Sequence, residues 1–341
     1  MPWTKVHLDN KELQHIPGLR TITYADAVKE ALRWMLSEDP SFFIMGEGVD
    51  DPGGVFGTTT GLAQEFGCER VMDIPIAENA MTGVAIGAAI AGMKPLFVHI
   101  RTDFLPMCMD QIINHAAKWY YMTGGSVNVP LVIRSLIGRG WGSAGQHSQA
   151  LHGLFTQIPG LKVLMPATPY DVKGLLISAV KDGNPVMFFE HRWIYDSLGY
   201  VPEHPYEVPI GQGIVRRKGT DITVVAISHM VYDAMRACGM LSAENIEVEL
   251  IDPRCLKPLD EELICESVKK TGRLVVADVS CPYGGAGAEI AAMVADKAFK
   301  YLKAPIKRVN FPDVPTPASG LLEEAYYPDA ADIIKTIKEL L

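Results

Sequence analysis

The chain has 341 residues, which is room for two domains at about 150 residues each. Hydrophobic residues make up 48% and charged residues 21%, so a sizeable core can form and global disorder is excluded. The net charge is −9, and no local block of Lys or Arg offsets it, which argues against nucleic-acid partners and anionic membrane surfaces.

The six cysteines form no CxxC pair and no zinc spacing, so they read as reduced, mostly buried thiols of a cytoplasmic protein. Residues 1–10 carry no apolar stretch for export. The most apolar run, 81–93, is shorter than the roughly 18 residues needed to cross a bilayer, and is expected to be a buried helix.

Short apolar runs predict strands at 42–45, 71–74, 95–100, 130–134, 162–165, 185–189, 222–227, 246–251, 273–277 and 306–309. Runs such as LFVHI and ITVVAI are nearly continuously apolar, which suits parallel strands covered on both faces. Amphipathic or apolar segments between them predict helices at 24–36, 79–91, 107–118, 169–181, 231–240, 260–269, 285–303 and 330–341. Thr23 is a good N-cap for the first. Strand then helix, repeated, gives an α/β fold of two doubly wound domains. The Pro-rich stretch YVPEHPYEVP (200–209) reads as the linker between them.

Four segments could carry chemistry. In DIPIAE (73–78), Pro75 ends a strand and Glu78 stands at the junction with a slim helix that is apolar on nearly every face. This is the sheet edge where α/β proteins bind ligands. A carboxylate there would be poorly solvated, which favours its protonated form. Alternatively, Glu78 merely complements the helix N-terminus. Second, QHSQ (146–149) follows a Gly-rich stretch that lacks the GK[ST] of a phosphate loop. His147 could exchange protons near neutral pH, or be a solvated loop histidine. Third, Phe104 in Arg101-Thr-Asp-Phe104 could stack on a planar ring or belong to the core. Asp110, just beyond it, could cap, bridge subunits or be an ordinary surface charge. Fourth, Asp182-Gly183-Asn184 is a turn whose oxygens could hold a hard cation, or only close the helix.

In order along the chain, MGEG (45–48), GGVFG (53–57), DIPIAE (73–78), GAAIAGMKP (87–95), MDQIINHAAK (109–118), QHSQ (146–149), PGLKVLMP (159–166) and LEEAYYPD (322–329) resemble the beta subunits of thiamin-diphosphate-dependent 2-oxo acid dehydrogenases. That family includes pyruvate, branched-chain and acetoin dehydrogenases. The resemblance implies a transketolase-like pyrimidine-binding domain at 21–198, a linker at 199–209 and a transketolase C-terminal domain at 210–341. It implies that Glu78 hydrogen-bonds the aminopyrimidine of thiamin diphosphate, that Phe104 stacks on that ring, and that Glu47 lies near the cofactor. His147 would face the substrate and assist proton or acyl transfer. Leu131, Ala179, Asp182 and Asn184 match a potassium site of some members.

Thiamin enzymes hold the diphosphate through Mg²⁺ with a Gly-Asp-Gly motif, and none occurs in this chain. The resemblance therefore implies an alpha subunit that holds Mg²⁺ in an α₂β₂ heterotetramer, with the apolar 79–91 helix in the interface. A lipoyl acyltransferase core is a further partner of such complexes.

The chain departs from many relatives at Gly48, at His99-Ile-Arg101 and around Asp278, and its 137–145 stretch is closer to acetoin-type members. Expected activity is 2-oxo acid or acetoin cleavage with acyl transfer to lipoamide. The alternatives are a split transketolase or acyloin-forming synthase with an aldehyde acceptor and, in another class, a non-catalytic partner-binding subunit.

Overall fold

A computed structural model describes residues 18–138 and 142–341. The 1–10 segment and Arg139, Gly140 and Trp141 of the Gly-rich stretch lie outside the described residues.

The first half carries strands β1 (Thr21–Thr23), β2 (Phe42–Gly46), β3 (Val71–Asp73), β4 (Lys94–His99), β5 (Val132–Ile137), β6 (Lys162–Leu164), β7 (Val186–His191) and β8 (Leu198–Tyr200). The second half carries β9 (Ile214–Arg217), β10 (Ile222–Ala226), β11 (Val248–Asp252), β12 (Cys255–Lys257), β13 (Leu274–Ala277) and β14 (Lys307–Val309). Each apolar run predicted to be a strand is one. Strands β2, β5, β7, β10, β11 and β13 are buried along their whole length, as expected of parallel strands under helices on both faces.

Two larger sheets result, with the orders β12-β6-β7-β5-β4-β2-β3 and β14-β13-β10-β11-β9. All pairings are parallel except those of β12 with β6 and β9 with β11. Strands β1 and β8 form a separate antiparallel ribbon. Strand β12 belongs by sequence to the C-terminal half yet extends the N-terminal sheet, so the two halves share an edge.

Buried ion pairs also join the halves. Asp171, at the start of the Pro169–Lys181 helix, bonds Arg216 and, at 2.9 Å, Arg254; Arg216 also reaches Asp252 at 2.9 Å. His152 Nε2 lies 3.0 Å from Asp278 Oδ1, both fully buried. Such pairs are poor sources of net stability, but losing one partner strands a charge, so they fix how the halves dock.

Two helical expectations need correction. The 107–118 segment is not one α-helix. Pro106 lies in a 3₁₀ run, Thr102–Cys108, and a π-helical turn follows at Gln111–Ala116. Proline's missing N–H disfavours a regular helix through that point. The 285–303 helix stops at Lys297, and a 3₁₀ turn, Phe299–Tyr301, follows.

Candidate active site

In the first sheet, β2 connects toward β3 on one side, whereas β4 connects toward β5 on the other. The carboxyl ends of β2 and β4 therefore flank a topological switch point, where open α/β sheets form a crevice. Glu47 directly follows β2, and the Arg101–Phe104 segment follows β4. Glu78 follows β3 and is the first residue of the Glu78–Ile90 helix.

Only 6% of Glu78 is exposed. Among the described residues no hydrogen bond reaches its carboxylate; its carbonyl accepts one from Thr82 Oγ1 at 2.7 Å. The carboxyl of Glu47 is raised above its usual range by burial and by the negative charges of Glu78 and Asp73. Asp73 Oδ1 accepts the N–H of Gly48 at 2.7 Å. The Thr102–Cys108 run packs on the Glu78 helix and on β4 and β5. Its Cys108 thiol is pushed up to about 11, chiefly by burial, and Glu78 adds to the rise.

The rings of Phe104 and His147 meet edge to face, with centroids 5.4 Å apart and planes at 81°. Arg101 Nη1 donates to the carbonyl of His147 at 3.0 Å. Asp103 Oδ1 accepts both the backbone N–H of Gln149, at 3.2 Å, and its side-chain Nε2, at 2.9 Å. The loop reaches His147 through Ala144, whose φ of +56° is in the left-handed region that non-glycine residues rarely adopt. The fold thus brings Glu47 together with Glu78, brings Phe104 together with His147, and links the two pairs through the 102–108 run.

The four residues compared with a potassium site lie at the opposite, N-terminal edge of the sheet, just before β5 and β7. The carbonyl of Leu131 accepts the N–H of Val186 at 2.9 Å, and that of Ala179 accepts the N–H of Asp182 at 3.4 Å. The Asp182 carboxylate is engaged by Lys162 Nζ at 2.6 Å. Asn184 Oδ1 is buried with no hydrogen-bond partner among the described residues. Asp110 is a surface charge that accepts from Asn114 at 2.7 Å.

The Glu78 helix is buried on one face only, through Thr82, Ala85, Ile86 and Ala89. The other face is open and small or apolar, with Val84 54% exposed and Ile76, just before the helix, 80% exposed.

The family model of the transketolase pyrimidine-binding domain matches residues 20–196, and that of the transketolase C-terminal domain matches 211–333. The acetoin:2,6-dichlorophenolindophenol oxidoreductase subunit beta of Bacillus subtilis is 44% identical over 334 residues, covering 94% of this chain and 98% of its own length. This chain belongs to the transketolase-like family of 2-oxo acid and acetoin dehydrogenase beta subunits.

Another such beta subunit is the acetoin oxidoreductase chain of Cupriavidus necator, 43% identical over 332 residues, with 94% of this chain and 98% of that one covered. The pyruvate dehydrogenase E1 component subunit beta of Rickettsia felis is 40% identical over 319 residues, with the same coverage. A solved split-gene transketolase, described as an inactive beta4 tetramer, superposes with a TM-score of 0.76 at 25% identity, covering 94% of this chain and 98% of that one. No helix among the described residues is long and apolar enough to cross a membrane.

Sequence reasoning missed the buried His152–Asp278 pair and the contacts that hold the His147 loop. The only sequence signal for the latter was the pair of opposite charges flanking Phe104, at Arg101 and Asp103.

Proposed function

We propose that this beta subunit supplies the pyrimidine-binding half of a thiamin diphosphate site, completed by an alpha subunit in an α₂β₂ enzyme that cleaves acetoin or a 2-oxo acid. The observation that carries this reading is Glu78: poorly hydrated, not hydrogen-bonded within the described chain, and placed beside the switch-point crevice. The residues fit the heterocyclic end of the cofactor. Glu78 offers an unclaimed carboxyl to a ring nitrogen, and Phe104 offers an aromatic face. When bound, thiamin diphosphate supplies the carbon nucleophile and the electron sink for cleavage next to a carbonyl. Glu78 would hydrogen-bond the ring nitrogen when the cofactor is bound. Burial, with the negative charges of Glu78 and Asp73, favours the protonated form of the neighbouring Glu47. His147, exposed on its loop, gives or takes a proton at the substrate or acceptor oxygen.

The open, small-residue face of the Glu78 helix supports burial against the alpha subunit, which would also hold Mg²⁺ and the diphosphate. Identities of 44% and 43% to acetoin-type subunits, against 40% to a pyruvate-type one, favour acetoin as substrate. Acyl transfer to lipoamide on an acyltransferase core is the proposed fate of the acyl group. The partnerless Asn184 Oδ1, with the carbonyls of Leu131 and Ala179, supports a structural K⁺ at the far sheet edge, with Asp182 held by Lys162 beside it. The free thiols support a reducing, cytoplasmic setting.

The test uses the enzyme assembled with its alpha subunit. Glu78→Ala should lower acetoin or 2-oxo acid turnover by about 100-fold or more. Turnover of Glu78→Ala equal to that of the parent would overturn the assignment. Turnover with aldehyde acceptors but not lipoamide would point to a transketolase-type activity instead.

A further inference from the structure

We infer that Arg101 and Asp103 are positioning residues that clasp the His147 loop from both sides and set the imidazole against Phe104. The inference rests on the assignment of His147 to proton and acyl transfer. His147 is exposed, and its ring meets Phe104 edge to face. The loop is held through two backbone groups and the side chain of Gln149. Arg101 donates to the carbonyl of His147 itself, and Asp103 accepts two hydrogen bonds from Gln149, two residues on. Both holds involve a charged group, which makes them stronger than neutral hydrogen bonds.

The clasp is anchored. Arg101 and Asp103 begin the turn that follows β4, in the middle of the sheet, and the Arg101 guanidinium lies 5.9 Å from the centroid of the Phe56 ring. Phe104 belongs to the same short segment, so its ring and the loop that carries His147 are set by one piece of chain. The left-handed Ala144 raises the energy of the loop, so a restraint is needed to keep it in this shape. Reactive groups that drift by about 1 Å lose about 100-fold in rate, so releasing the clasp should act on turnover rather than on cofactor binding.

Four variants of the assembled enzyme test this: His147→Ala, Asp103→Ala, Asp103→Asn and Arg101→Gln. Lipoamide-linked turnover is measured together with the concentration of thiamin diphosphate needed for half activation. In parallel, the rate of His147 carbethoxylation by diethyl pyrocarbonate is read by mass spectrometry on the cofactor-free enzyme. Asp103→Ala should lower turnover by about 10- to 100-fold with half activation unchanged, and should alter the His147 modification rate several-fold. Asp103→Asn keeps an oxygen for both bonds from Gln149 and should restore both readouts to near parental values. If Asp103→Ala does not assemble, Arg101→Gln carries the same expectation through the other bond. Loss of activity in His147→Ala with parental turnover and modification rate in Asp103→Ala or Arg101→Gln would overturn the clasp and leave the role of His147 standing. Parental activity in His147→Ala would overturn both.

Discussion

Acid should unfold this protein partly through His99. The residue ends β4, is 4% exposed, and packs on Phe97 with ring centroids 4.2 Å apart and planes tilted by 44°. Its Nε2 is buried without a hydrogen-bond partner among the described residues. Burial lowers its pKa from 6.5 to about 4. The unfolded chain therefore takes up a proton between these values that the folded chain refuses. Stability from this group is complete above pH 6.5 and is lost as the pH falls toward 4. The whole difference corresponds to about 3 kcal/mol, and about 2 kcal/mol of it is gone by pH 5. His99→Leu removes the titration. Urea unfolding of the parent and the variant at pH 8 and pH 5 isolates it, because every other titrating group cancels in the double difference. The parent should lose about 2 kcal/mol more than the variant. Equal losses would refute the assignment of a neutral, unbonded imidazole at this position.

Other perturbations test the packing. Glu190→Ala strands the fully buried Arg134, which also bonds Tyr195 at 3.0 Å, and should cost about 3–5 kcal/mol in thermal or urea unfolding. Gly160 has φ +96°, and a Cβ there would meet the carbonyl oxygen of Ala117 at 1.9 Å; Gly160→Ala should therefore destabilise by more than about 1 kcal/mol, and a neutral effect in the same assay would contradict the geometry. Asp278→Ala leaves buried His152 Nε2 without its hydrogen-bond partner and should speed proteolysis of the 201–213 connection, because that contact crosses between the halves.

What was legible in the sequence follows from physical scale. Strands β2, β5 and β10 are buried on both faces, so their runs are mostly apolar and could be read directly, although β5 carries Arg134 and Ser135 and β10 carries Thr223. Strands β1, β8, β9 and β12 are short, and each pairs with a strand whose choice depends on the tertiary fold, so no local pattern announced them. The 107–118 segment reads as one helix, but it ends a 3₁₀ run and continues into a π-helical turn, a distinction no local pattern in the sequence announces. Glu78 could be placed at a strand-to-helix junction from Pro75 and the apolar run after it. Its proximity to Glu47, from a different strand, required the sheet order. The loop clasp needed three-dimensional contact between residues 101–103 and 147–149, which a single sequence does not encode as a local pattern.

The most direct test of the central claim is an experimental structure of the chain assembled with its alpha subunit and thiamin diphosphate. The carboxyl of Glu78 should lie about 2.6–3.2 Å from a nitrogen of the aminopyrimidine ring, with Phe104 against the ring face. A cofactor ring bound elsewhere, with the Glu78 carboxyl turned to water at the assembled interface, would contradict it.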